Sequence, residues 1–174
     1  MLVPFFYENL LFVAIATLFF LIVGWAWKNA KPYTLPQPLP GWFRIWFLSI
    51  QIIGIGLPVV ALGWCFWQGY SRAVAVLLSY LLLLGLQILS ESLCLRQFRS
   101  IVFVMVPYVY LPYRVWQLVT GLAYVPEVEL GWLRSILIGQ IVLWIGNYLL
   151  DLSQLPRLLH WQIDPSHQQS RQQD

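Results

Sequence analysis

The chain has 174 residues, of which 60% are hydrophobic, 17% aromatic and only 10% charged, with a formal net charge of +3. Ordinary soluble domains carry about 25% charged residues, and the apolar residues here fall in blocks close to the roughly 20 that cross a hydrocarbon core of about 30 Å. Composition therefore excludes a water-soluble domain, and basic residues scattered over loops, with no Lys/Arg cluster interleaved with aromatics, exclude nucleic acid as a partner.

The expected class is an all-α integral membrane protein, a bundle of five transmembrane helices within residues 1–151, followed by an interfacial segment and polar tail over 152–174. The first span is expected at about 9–27, NLLFVAIATLFFLIVGWAW. Trp25, Trp27, Lys28 and Lys31 fix one end at the headgroup level, while Ala14, Ala16 and Thr17 are small enough to admit a neighbouring helix. The preceding MLVPFFYENLL lacks the basic start of a secretory signal, so this block reads as a retained span. Residues 28–41 hold Pro32, Pro36, Pro38 and Pro40, which favour an extended, stiff loop.

The second span, about 45–67, has Trp42 at its entrance and Trp64, Trp67 and Tyr70 at its exit. Pro58 removes one helical hydrogen bond, and Gly54, Gly56 and Gly63 remove side-chain bulk, so a bend and close helix packing are expected. Gln51 is the one strongly polar residue inside this span, and its amide needs a partner there.

In the third span, about 73–94, Tyr80, Leu84, Gln87, Glu91 and Cys94 recur at helical spacing and mark its polar side. Glu91 lies close to LRQFRS, so an interfacial cluster of Glu91 with Arg96 or Arg99 is expected. Cys65 and Cys94 match no metal spacing and read as buried thiols.

The fourth span, about 101–125, is the unusual one: Pro107, Pro112 and Arg114 interrupt an otherwise apolar stretch. An arginine at mid-bilayer costs from roughly 2.5 to above 10 kcal/mol, so it faces protein or a wet cavity rather than lipid. Pro107, Tyr110, Arg114, Gln117 and Gly121 share one stripe. Glu127 and Glu129 are expected in the loop that follows. The fifth span, about 132–150, carries a small-residue seam of Ser135, Gly139 and Gly146 and, beside it, a polar stripe of Gln140, Trp144, Asn147 and Asp151. Leu155, Leu158, Leu159 and Trp161 then suggest a surface helix ahead of the glutamine-rich tail.

Five spans place Lys28, Lys31, Arg44, Arg96, Arg99, Arg157 and Arg171 on one side and Arg72 and Arg134 on the other. The basic side is expected to be cytoplasmic or stromal, with the N-terminus outside, in a plasma or thylakoid membrane. Four spans with residues 101–125 re-entrant or interfacial would weaken that asymmetry, which favours five.

The candidate ligand or helix-interface residues are Tyr110, Arg114, Gln117, Gln140 and Asn147. Arg114 and Gln140 fall at matching depth and are the expected pair, whereas Glu91 lies roughly 15 Å from Arg114 in projection and is not expected to pair with it directly. Both histidines, His160 and His167, lie in the tail. That leaves no intramembrane histidine for haem, iron or zinc, and no histidine beside an intramembrane serine for proteolysis, so an enzyme is not expected; the cofactor is not specified by the sequence, which leaves a bound lipid or pigment open. Three functions remain: an accessory or assembly subunit of a larger bioenergetic or photosynthetic membrane complex, partnered by lipids and other membrane subunits; a small carrier or channel with an anion or lipid-headgroup site at Arg114; and a pigment- or quinone-binding protein.

Overall fold

The computed structural model describes residues 2–28, 41–98 and 102–156, and every regular element among them is helical. Five helices result: α1 (Leu2–Ala26), α2 (Gly41–Trp67), α3 (Ser71–Phe98), α4 (Val102–Leu122) and α5 (Glu127–Ser153). Four of them, α1, α2, α3 and α5, are long and apolar enough to cross a membrane, as in a multi-pass integral membrane protein. The expected all-helical class and the count of five helices are both found.

α4 is the exception because Pro107, Pro112, Arg114 and Gln117 lower its hydropathy, and it is the helix that can tolerate them. It packs against α1, α3 and α5 at once, and Val106, Tyr110, Leu111, Arg114, Gln117, Leu118 and Gly121 are all buried. Its 21 residues run as one helix through both prolines.

Helices α2, α3, α4 and α5 close a ring in which each packs on the next, and α1 lies outside it in the furrow between α3 and α4. Within α2 the stretch Leu57–Trp67 meets α3 and α5, and Ile50–Gly56 meets α5. The main core joins Ala61 and Cys65 of α2, Val76, Leu77 and Tyr80 of α3, Leu111 and Leu118 of α4, and Leu133, Leu137 and Trp144 of α5. A second cluster sets Ala16 and Phe20 of α1 against Leu83 and Cys94 of α3 and Val106 and Tyr110 of α4. Both cysteines are buried and free.

Several local expectations are corrected. The helix that carries the first span begins at Leu2, ahead of the candidate membrane span Phe6–Ala26, because nothing in VPFFYEN opposes a helix once Pro4 sits in the first turn, where a missing N–H is harmless. Of Ala14, Ala16 and Thr17, only Ala16 is buried against a neighbour; Ala14 and Thr17 are exposed. Glu127 and Glu129 belong to the first turn of α5 and not to a loop. Pro126 in extended geometry starts that turn, and the carboxylates complement the positive end of the helix dipole. Gly69, at φ 77°, makes the left-handed turn that reverses the chain between α2 and α3. The proline-rich loop, Arg99, and the tail from 157 onward lie outside the described residues.

Candidate functional site

The interior site begins with a missing donor. Pro58 has no N–H, so in α2 the carbonyl four residues back, Gly54, loses its helical partner, and in a wider turn so does the one five back, Ile53. Ile50–Gly56 is a π-helical segment, the form in which single wide turns occur inside α-helices, often at functional sites. Both carbonyls are taken by side chains from neighbouring helices: the Tyr80 hydroxyl donates to Gly54 O at 2.6 Å, and Gln140 Nε2 donates to Ile53 O.

The Tyr80 oxygen is then the hub of three helices. Trp144 Nε1 donates to it at 2.9 Å, and Gln140 Oε1 lies 3.0 Å from it as a second acceptor for its proton. Gly54 makes the arrangement sterically feasible, because a Cβ there would stand 3.2 Å from Trp144 Cζ2.

On the indole of Trp144 rests the guanidinium of Arg114, with Cζ 4.3 Å from the ring centroid and 5.9 Å from that of Tyr80. Arg114 is 0% exposed. Its Nη2 donates to Gln87 Oε1 at 2.6 Å, and Gln87 Nε2 in turn donates to Glu91 Oε1 at 2.8 Å. Arg114 Nε and Nη1 have no hydrogen-bond partner among the described residues. A desolvated cation over an aromatic face contributes about 2 kcal/mol, which partly offsets the cost of keeping the charge from water.

The expected pairing of Arg114 with Gln140 is therefore wrong. The two communicate only through Trp144 and Tyr80. Matching depth placed them together, but azimuth separates them: Gln140 turns to the free carbonyl of α2, whereas Arg114 turns to α3. Glu91 does not pair directly with Arg114, as expected, yet Gln87 connects the two. Nor does the Glu91–Arg96 pairing form: Arg96 is exposed, Glu91 is half-buried with Gln87, and Arg99 lies outside the described residues. Among the described residues the one ion pair is Arg134–Glu127 at 4.0 Å.

A second network fixes α1. Asn9 Nδ2 donates to Ser79 Oγ at 2.7 Å, and Asn9 Oδ1 accepts from Tyr113 at 2.9 Å and from Gln117 Nε2 at 3.1 Å. Gln117 Nε2 also reaches Ser79 O at 3.2 Å. Tyr110 is held by Ser90 at 3.1 Å. Because the Ser90 hydroxyl already donates to Leu86 O at 2.8 Å, the tyrosine is the donor.

Near the other end of the bundle, Trp46 Nε1 donates to Asn147 Oδ1 at 3.2 Å and Tyr108 donates to the Asp151 carbonyl. The seam expected on α5 is used only at Gly146, beside Trp46; Ser135 and Gly139 are exposed. Arg134 donates to the carbonyls of Leu122 and Val125 at 2.8 and 3.0 Å, closing the C-terminal end of α4.

The sequence reading missed Asn9 and Arg134. For Asn9 the signal is present: one amide next to Glu8 at the start of a long apolar run, open to the same reasoning that singles out Gln51. Arg134 was taken for a loop cation, and nothing in its neighbours pointed to the carbonyls it caps.

Five of the polar side chains, Arg114, Tyr80, Gln87, Gln140 and Trp144, thus form one sealed interior array. The family model described as a domain of unknown function (DUF7733) matches residues 2–150. The chain belongs to that family. The match takes in both networks, from Asn9 to Asn147, and ends just short of Asp151. No curated protein and no solved structure matches the chain.

Outside the ring, α2 and α5 leave an apolar groove of about 450 Å³ lined by Leu57, Val60, Ala61, Trp64, Trp132 and Ile136. Trp64 and Trp132 meet edge to face at one end of it, with centroids 4.9 Å apart. Its chemistry suits an aliphatic chain or an apolar helix face and offers nothing to a polar solute.

Proposed function

We propose that this protein is a non-catalytic accessory or assembly subunit of a larger integral membrane complex, bioenergetic or photosynthetic, that packs against other subunits through the α2–α5 groove. The observation that carries the reading is the contrast between a closed polar interior and an unfilled apolar exterior. Arg114 is fully enclosed and stacked on Trp144, while the groove outside is open and wholly apolar. Polar side chains that tie helices to one another make a rigid body, and a rigid body with an unfilled groove serves docking better than transport. In this reading the side rich in Lys and Arg is cytoplasmic or stromal, and the N-terminus is outside.

The test is mild detergent extraction of tagged protein from native membranes, followed by native electrophoresis and mass spectrometry. Wild-type protein should migrate in an assembly larger than any homo-oligomer, and Val60→Trp, which fills the groove from an exposed position, should release it. Migration of the wild type alone, or an assembly indifferent to Val60→Trp, overturns the reading.

One observation favours a second reading, a small carrier or channel for an anion or lipid headgroup. Arg114 Nε and Nη1 lack hydrogen-bond partners among the described residues, and a carboxylate or phosphate would supply acceptors for both. Reconstituted anion flux that disappears in Arg114→Gln would support it; absence of flux in the wild type would sink it.

A further inference from the structure

We propose that Gln51 is the centre of an interface between two copies of this chain. The amide lies about 14 Å along α2 from Trp42 and about 20 Å from Trp64 at 1.5 Å per residue, so it is well within the hydrocarbon core. It is exposed, and it makes no hydrogen bond among the described residues. A carboxamide left in hydrocarbon without a partner is costly, since no water is there to replace one.

The buried edge of α2 is Gly54, Pro58, Ala61 and Cys65. Gln51 stands away from that edge. Gly56 follows it by five residues, about one turn of the π-helical segment, and Gly63 follows Gly56 by seven, two turns of α-helix. All three are exposed. A Cβ at Gly63 would meet nothing within 4 Å, and one at Gly56 would meet only the Gln51 carbonyl oxygen at 3.8 Å. A second backbone can therefore come close along the same line on which the amide sits.

Two arguments make the occupant another copy of this chain. Copies inserted in the same orientation are related by a twofold axis along the membrane normal, so a residue near the axis meets itself at the same depth. A carboxamide is both donor and acceptor. Two Gln51 side chains can exchange two N–H···O bonds and satisfy each other, which an exposed Lys, Glu or Ser at this depth could not do as fully. The stripe borders the α2–α5 groove, because Val60 of the groove wall stands one turn from both Gly56 and Gly63. Gln51 is not among the residues that line the groove, so a substitution there tests the dimer without altering the groove.

The experiment measures dimerisation of the full chain in lipid vesicles by resonance energy transfer between labelled copies over a range of protein-to-lipid ratios. Wild type should dimerise, Gln51→Leu should weaken the dimer about tenfold, given that interhelical hydrogen bonds in bilayers contribute modestly each, and Gln51→Asn should recover part of the loss. Oxidative cross-linking adds a readout that does not depend on the strength of the hydrogen bonds: Gln51→Cys and Gly63→Cys should cross-link, while Leu78→Cys, exposed on α3, should not. A monomeric wild type, a dimer indifferent to Gln51→Leu, or equal cross-linking at Leu78→Cys overturns the proposal.

Discussion

The guanidinium of Arg114 lies over the indole of Trp144, 4.3 Å from its centroid, and that same indole donates its N–H to Tyr80 at 2.9 Å. One aromatic side chain of α5 thus supports the buried cation of α4 with its face and reaches Tyr80 of α3 with its edge.

The pair should be energetically coupled. Arg114→Lys removes the planar fork that both stacks on Trp144 and bonds Gln87, and an ammonium does not replace it. Trp144→Leu removes the face. Each single variant should lower the unfolding midpoint in detergent, and the double variant should lose less than the sum, with a coupling of about 1–2 kcal/mol. Strict additivity would mean the stacking contributes nothing.

Pro58 and Gln140 form a second testable pair. Pro58→Ala restores an N–H four residues after Gly54 and lets α2 return to the α register, which occupies the carbonyls that Tyr80 and Gln140 now satisfy. In the wild type Gln140→Leu strands the Ile53 carbonyl and should cost about 1–3 kcal/mol. In the Pro58→Ala background the same substitution should cost markedly less. Chemical denaturation of the four proteins in mixed micelles measures both.

Asn9 should set the rotation of α1. The rest of that helix is nearly uniform in hydrophobicity, so apolar packing alone leaves its register weakly defined, while Asn9 joins Ser79, Tyr113 and Gln117. Cys94 shares a buried cluster with Ala16 and Phe20 of α1, whereas Cys65 belongs to the other core. Asn9→Leu should therefore speed the reaction of Cys94 with a membrane-permeant thiol reagent several-fold and leave Cys65 slow. Equal rates at both cysteines in wild type and variant would refute the assignment.

Periodicity made much of this architecture legible. The stripe Tyr110, Arg114, Gln117 and Gly121 on α4 and the stripe Tyr80, Gln87 and Glu91 on α3 follow from helical spacing, and the polar contacts run between them. What the sequence withheld was azimuth. Rise per residue assigns a depth to Gln140 and Arg114, but Gln140 turns to the Ile53 carbonyl in the widened stretch Ile50–Gly56 of α2 while Arg114 turns to Gln87 of α3, and only the assembled bundle shows which neighbour each meets. Ser135 and Gly139 failed for a related reason: small residues permit helix contact without requiring it, and here the ring closes through other faces.

Gly121 gives the sharpest steric test. A Cβ at this position would stand 2.8 Å from Cγ1 of Val76, closer than two carbon atoms can approach, where α3 and α4 cross in the core. Val76 is β-branched and held to few rotamers in a helix, so it cannot turn aside, and the helices themselves would have to separate. Gly121→Ala should then destabilise the protein by about 1–3 kcal/mol, against the slight gain that alanine ordinarily brings to a helix interior. The companion Val76→Ala removes the clashing methyl, so the double variant should recover most of the loss. Thermal unfolding of the three variants and the wild type in one detergent decides it: a Gly121→Ala protein as stable as wild type would show that α3 and α4 are farther apart than this contact requires.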